Sequence, residues 1–264
     1  MIVRSLALTT ELALAATRGR ITDRGDYIVV ETPDDPGYYY GNLLVLPAAP
    51  QVGEVGYWTR RFADELGKNP AIRHVTLSWD GVSGDAGAVD ELTANGFTLE
   101  SNVALVATEV TARPPSDPRI VLRALEPAEV EALADLLWAT GDRHDETYRN
   151  FLDRRSRWHR SLVERGMARF WGAFDGTAIV GSLGLVTFGD LARYQDVQTM
   201  ATHRTRGIAS ALLATAAREA FATGTVERVV IVANAGSEGE RVYTRAGFTI
   251  LERTASACNY PSVT

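Results

Sequence analysis

The stretch LTANGFTLE, Leu92 to Glu100, returns late in the chain as YTRAGFTILE, Tyr243 to Glu252. Both copies read as the end of a helix, a Gly-Phe step and the start of a strand. The elements before them repeat as well. The apolar strand IRHVTLSW (72–79) leads toward the first copy, and VERVVIVAN (226–234) leads toward the second. A chain that closes both halves in the order strand, helix, Gly-Phe, strand is most economically an internal duplication, and two copies imply paired domains rather than a solenoid. Among the positions that differ between the copies, one carries chemistry: the second has Tyr243 where the first has Leu92.

The seam between the halves is TARPPSDPR, Thr111 to Arg119, where prolines in a polar stretch favour an extended connection. The expected division is a first domain over 1–112, a linker over 113–118 and a second domain over 119–264. At 264 residues, two domains can each bury a core. In the first half, an amphipathic helix opens the chain, and 26–32 and 39–47 read as strands. Trp58, Phe62 and Leu66 fall at i, i+4 and i+8, which predicts a core-facing helix over 57–67. A helix capped by Asp85 and closed near Gly96 then leads to a strand over 97–108. In the second half, a strand (120–125), an apolar helix (128–140) and a charged helix precede three strands joined at Asp175-Gly176 and Gly189-Asp190. A helix over 208–224, a strand over 226–234, a helix within 238–247 and a last strand from Phe248 complete it.

The formal charge of -6 argues against a nucleic-acid partner. No stretch approaches the length of a membrane span, and Thr9, Thr10 and Glu11 break the N-terminal apolar run, so a cytoplasmic protein with no membrane partner is expected. A single cysteine, Cys258, excludes an internal disulfide and reads as a buried thiol. His144-Asp145-Glu146 carries metal-capable groups, but adjacent residues diverge on a helix, so the stretch reads as a helix start or part of an acceptor pocket and not as a metal site. Gly81–Gly87, GVSGDAG, lacks the spacing of a nucleotide loop and reads as a flexible turn. Arg154, Arg155, Arg157 and Arg160 read as a solvated helix face, with substrate recognition as the alternative.

The chemistry concentrates in DVQTMATHRTRGIASALL, Asp196 to Leu213, where a strand runs through an Arg- and Gly-rich turn into a helix. The first N–H groups of a helix lack intrahelical partners and carry partial positive charge, so this turn can hold an anion beside Arg204 and Arg206. Gly207 permits close approach, and Ala209 and Ser210 leave room. The hexapeptide Arg204-Thr205-Arg206-Gly207-Ile208-Ala209 resembles the Q/R-x-x-G-x-G/A turn of the GCN5-related N-acetyltransferases, the GNAT family. VYTRAGF, Val242 to Phe248, is similar to that family's closing Tyr-x-x-x-Gly-Phe signature, and the order of elements from about Arg119 agrees.

The resemblance implies an α/β (α+β) fold of two acetyltransferase-like domains, each a mixed, mostly antiparallel sheet flanked by helices. It implies acetyl transfer from acetyl-coenzyme A, without a metal, by direct attack of an amine on a small molecule or peptide. A non-catalytic acyl-coenzyme A sensor of the same fold is the alternative, and monomer and homodimer both stay open. Val197, Thr199, Met200 and Ala201 would meet the pantetheine arm, Arg204, Thr205, Arg206, Gly207, Ile208, Ala209 and Ser210 the pyrophosphate, and Asn234 the pantetheine again. Asp196 stands where the family often places an acidic residue and is the candidate general base, with a solvated strand-edge acid as its plain alternative. Tyr194 and Gln195 could hold a water in its stead. Tyr243 would protonate the leaving thiolate; otherwise it is a core tyrosine. The first half has AAPQVGEVGYW (48–58) at the equivalent turn, without arginine and with Pro50 and Glu54, so a degenerate domain without a cofactor turn is expected.

Overall fold

The computed structural model describes residues 1–260. In chain order the elements are α1 (Leu6–Ala15), β1 (Arg20–Asp23), β2 (Ile28–Glu31), β3 (Leu43–Leu46), α2 (Val55–Leu66), β4 (Val75–Trp79), α3 (Val89–Ala94) and β5 (Thr98–Ala107). There follow β6 (Ile120–Ala124), α4 (Pro127–Glu131), α5 (Leu133–Thr140), α6 (Glu146–Glu164), β7 (Ala168–Asp175), β8 (Ala178–Phe188) and β9 (Leu191–Thr199). The chain closes with α7 (Ile208–Phe221), β10 (Arg228–Asn234), α8 (Glu238–Arg245) and β11 (Thr249–Asn259). Two units emerge. The first holds Met1–Ala104, Ala233–Ala235 and the chain from Leu251 onward; the second holds Leu105–Val232 and Gly236–Ile250.

In the first unit, strands in the order β1-β2-β3-β4-β11-β5 are built on period-two burial. Ile28, Val30, Leu43 and Val45 pack with Leu8 of α1 on one face. Their sequence neighbours Val29, Leu44 and Leu46 join Trp58, Phe62 and Leu66 of α2 on the other. The β3–β4 pair is parallel, while β1–β2, β2–β3 and β4–β11 are antiparallel. The four-residue β1, with three exposed positions, gives no apolar pattern from which to read it. Tyr39–Gly41, expected in a strand, forms a 3-10 turn before β3. Asp85 does not cap α3, which begins only at Val89; its carboxylate accepts from Gly87 N at 2.9 Å in a local turn.

The division at 113–118 differs from the one the contacts give, because the last strand sits in the first unit. Ser256, Ala257, Cys258 and Asn259 of β11 pair with Ser78, Leu77, Thr76 and Val75 of β4. Ala255 and Ala257 belong to the same core as Trp58 and Leu77. The Pro-rich segment, expected as a linker over 113–118, belongs to the second unit.

In the second unit the order is β10-β9-β8-β7-β6, antiparallel except for the β10–β9 pair. Leu125, Val130, Leu133, Leu136, Phe170 and Phe174 form one core, and α7 buries Ile208, Ala211, Leu212, Leu213, Ala216 and Ala217. Asp145 caps α6 by accepting from Tyr148 N at 2.9 Å, so the acidic tripeptide is a helix start. Among the described residues no group of three or more His, Cys, Asp or Glu side chains is placed to hold a metal ion, and no helix is long and apolar enough to cross a membrane.

Candidate functional site

β9 and β10 pair at Leu191↔Arg228, Ala192↔Val229 and Arg193↔Val230. Past Arg193 they part, and among the described residues β9 from Tyr194 onward has no strand partner on that side. On its other side β9 slips register: Gln195 faces Gly184, but Gln198 faces Ser182, so Asp196 and Val197 together oppose Leu183. That is a β-bulge. Asp196 absorbs it in the left-handed conformation, with φ 48°.

The Asp196 side chain turns to α6. Arg155 donates from Nε and Nη2 to its two oxygens at 2.9 and 2.7 Å, and His159 Nδ1 lies 3.6 Å from Oδ2. Burial alone raises this carboxyl's pKa, but the charges of Arg155 and His159 and the Arg155 hydrogen bonds outweigh it and hold the group below the usual carboxylate range. Neither expected water-holder points to solvent. The buried Tyr194 hydroxyl donates to Leu213 O at 2.8 Å, and the buried Gln195 amide donates to Tyr194 O at 2.9 Å.

Beyond β9, the turn alternates into left-handed residues at Thr205 (φ 62°) and Gly207 (φ 78°). Such alternation makes a concave row of N–H groups. Gly207 is the N-cap of α7 and supplies no capping side chain, so those donors stay available. A β-branched residue at positive φ is strained, and strain of this kind gathers at functional sites. The proline segment braces the turn: Ser116 N donates to Arg206 O at 2.9 Å, and Asp117 lies 3.8 Å from Arg206 Nη1.

The parted strand, the turn and α8 line one cavity of about 490 Å³. Of the residues expected at a cofactor, Val197, Thr199, Arg204, Thr205, Gly207, Ile208, Ala209 and Ser210 line it, and Tyr243 does too. Asp196, Met200, Ala201, Arg206 and Asn234 do not. Met200 packs against the Phe170 core, Ala201 is exposed, Arg206 is drawn to Asp117, and Asn234 ends β10 exposed. Sequence reasoning missed Gln198, His203, Glu238, Gly239, Val242 and Arg245. Helical spacing from Tyr243 could have found Gly239, at i−4. His203 gave no such signal; its Nε2 is 3.3 Å from Asp175 Oδ2 and its Nδ1 2.9 Å from Thr202 Oγ1.

Two polar atoms here lack protein partners among the described residues. The buried Thr199 Oγ1 has none, and the Tyr243 hydroxyl makes no hydrogen bond to protein. Tyr243 is 9% exposed, and burial pushes its phenol up to about 12.

The equivalent turn of the first unit is filled by its own acids. Gln51 N donates to Glu54 Oε2 at 2.9 Å and Gly53 N to Glu91 Oε2 at 2.6 Å, while Leu92 is fully buried in the core.

An open strand edge, an Arg-Gly turn opening a helix and a tyrosine on the next helix meet on one cavity, within a GNAT-like fold. Residues 130–248 match the acetyltransferase (GNAT) family, and this segment is a GNAT domain. A GCN5-related N-acetyltransferase from Kribbella flavida shares the fold with a TM-score of 0.67 at 15% identity, over 97% of this chain and 95% of its own. A functionally unknown conserved protein from Staphylococcus epidermidis gives 0.70 at 13% identity, over 91% and 93%. A tandem GNAT protein from the clavulanic acid biosynthesis pathway gives 0.55 at 16%, over 93% and 85%. At such identities the likeness is one of fold. No curated protein matches the chain in sequence.

Proposed function

We propose that the second unit binds acetyl-coenzyme A and that the protein transfers its acetyl group to an amine of a small molecule or peptide. The observation that carries this is the convergence of the open β9 edge, the Arg204–Gly207 turn and Tyr243 on one cavity. The residues fit the ligand's parts. The concave turn, the start of α7 and Arg204 suit a diphosphate. The β10-side edge of β9 at Val197–Thr199 and the orphaned Thr199 hydroxyl suit the amide-bearing arm.

Bound acetyl-coenzyme A supplies an activated thioester. Backbone N–H groups of the opened strand are the donors for its carbonyl oxygen as charge develops there. Tyr243 keeps its proton through neutral pH and is the donor for the departing sulfur. The first unit, with carboxylates on its turn and Leu92 in the tyrosine's place, is read as a degenerate copy that does not bind the cofactor.

Calorimetry with acetyl-coenzyme A tests the reading, followed by thiol release over a panel of amino acids, polyamines, aminoglycosides and peptides. Binding is expected, with Arg204→Ala weaker by roughly ten- to a hundredfold, the scale of one charge-assisted hydrogen bond. No binding by the parent protein sinks the assignment. Binding with no thiol release from any amine turns it into an acyl-coenzyme A sensor.

A further inference from the structure

Resting on the acetyl-transfer reading, we propose that Asp196 serves the reaction by forming the β9 bulge, with Arg155 of α6 as the positioning residue that holds it there, and that Asp196 does not take the amine's proton. Conformation is the first argument. A left-handed φ of 48° inside a strand is a position that glycine, asparagine and aspartate accept and branched residues resist. The side chain that makes the kink affordable also fixes how Val197 and Thr199 present themselves to the cavity.

Geometry is the second argument. A general base must reach the proton it removes. Asp196 does not line the cavity, although residues on both sides of the turn do. Both of its oxygens are engaged by Arg155, and the side chain is 14% exposed.

Packing around the pair locks it in place. Arg155 lies 5.9 Å from the Phe151 ring centroid, so its guanidinium is held on its own helix as well as by the carboxylate. His159, one turn further along α6, lies against Phe170 with centroids 4.8 Å apart and the rings tilted by 37°. Gly184, across from Gln195, leaves the space that the Phe170 ring fills. Arg155, His159 and Phe170 thus form a floor beneath the bulge, and α6 sets the shape of the strand edge through one bidentate pair.

Steady-state kinetics over pH on Asp196→Asn, Asp196→Val and the double variant Asp196→Gly/Arg155→Met tests this. Asparagine keeps left-handed tolerance and a hydrogen-bond acceptor but cannot serve as a carboxylate base. The double variant removes both buried charges together, so no orphan charge confounds folding. Asp196→Asn is expected to lose less than tenfold in kcat and to keep the acidic limb of the pH profile; the double variant, which keeps left-handed tolerance but loses the Arg155 brace, is expected to keep the acidic limb while raising the KM for acetyl-coenzyme A. Asp196→Val, which resists φ 48°, is expected to lose more than fiftyfold in kcat/KM, with a raised KM for acetyl-coenzyme A. If Asp196→Asn is inactive, or active without the acidic limb, Asp196 is the base and the proposal fails. A parent protein that neither binds acetyl-coenzyme A nor releases thiol would instead overturn the acetyl-transfer reading itself.

Discussion

At the scale of the residue, the difference between the two Gly-Phe joints that bears on chemistry is Leu92 against Tyr243, with what surrounds each. Leu92 is fully buried in the core, whereas Tyr243 stands at a cavity wall with its ring 6.3 Å from Phe248 and its hydroxyl without a protein hydrogen bond among the described residues. Tyr243→Phe keeps that ring contact and removes only the proton. It should lower kcat at least tenfold and leave the acetyl-coenzyme A Kd within about twofold, since general acid catalysis contributes on the order of a hundredfold or more. Stopped turnover with matched calorimetry checks the split; an equal loss in both would make the phenol a binding group. Cys258 belongs to this scale too. Burial pushes its thiol up to about 11, and Thr76 Oγ1 sits 3.2 Å away, so it should resist alkylation in the native protein and react only after unfolding. The turn and Tyr243 were legible because each is a local pattern of a few letters. Asp196–Arg155 and His203–Asp175 were not, since partners 41 and 28 residues apart meet only through the packing of α6 and β7.

At the scale of the element, helix starts were read from local letters, and the structure also uses distant ones. Ser5 caps α1, accepting from Leu8 N at 3.2 Å. Glu252 of β11 adds a second cap, accepting from Ser5 Oγ at 2.8 Å, Leu6 N at 2.7 Å and Ala7 N at 3.1 Å. Asp80 accepts from Arg4 N and Ser5 N at 3.0 and 2.9 Å. A buried carboxylate on a helix N-terminus satisfies orphan donors and the dipole together. Glu252→Ala should therefore cost about 2 kcal/mol, the upper range for losing a cap, and Glu252→Gln less. Urea unfolding followed by tryptophan fluorescence measures it, and a loss within error of zero would show the cap to be idle. Sequence pattern found α1 and the start of β11, but nothing local could say that one end of the chain caps the other.

At the scale of the whole molecule, pH and chain length act on the first unit. His74 is 3% exposed, and burial lowers its pKa below the ordinary 6.5, against the opposing pull of the Asn42 carbonyl 3.0 Å from Nε2. The folded state then binds fewer protons than the unfolded one. Its stability is fully present above about pH 6.5 and falls as pH drops, by up to about 1.4 kcal/mol per unit. Unfolding free energies at pH 7.5 and 5.5 should differ more in the parent than in His74→Gln, which cannot titrate; equal differences would exclude His74 as the source. Chain length gives the sharper test. Removing the chain from Leu251 deletes the partner of β4, the core methyls of Ala255 and Ala257, and the carboxylate over α1. It leaves intact the sequence that lines the cavity of the second unit, Val197 to Arg245. These losses together approach the whole stability of a domain, about 5–15 kcal/mol, so the truncated chain should expose Trp58 and Trp79 and be cleaved readily within residues 1–104. A split at the proline seam predicts the opposite, a first unit that resists protease after the same truncation. Timed proteolysis of the two lengths, with fragments identified by mass, separates the outcomes. Protection of 1–104 in the shortened chain would return the boundary to the prolines.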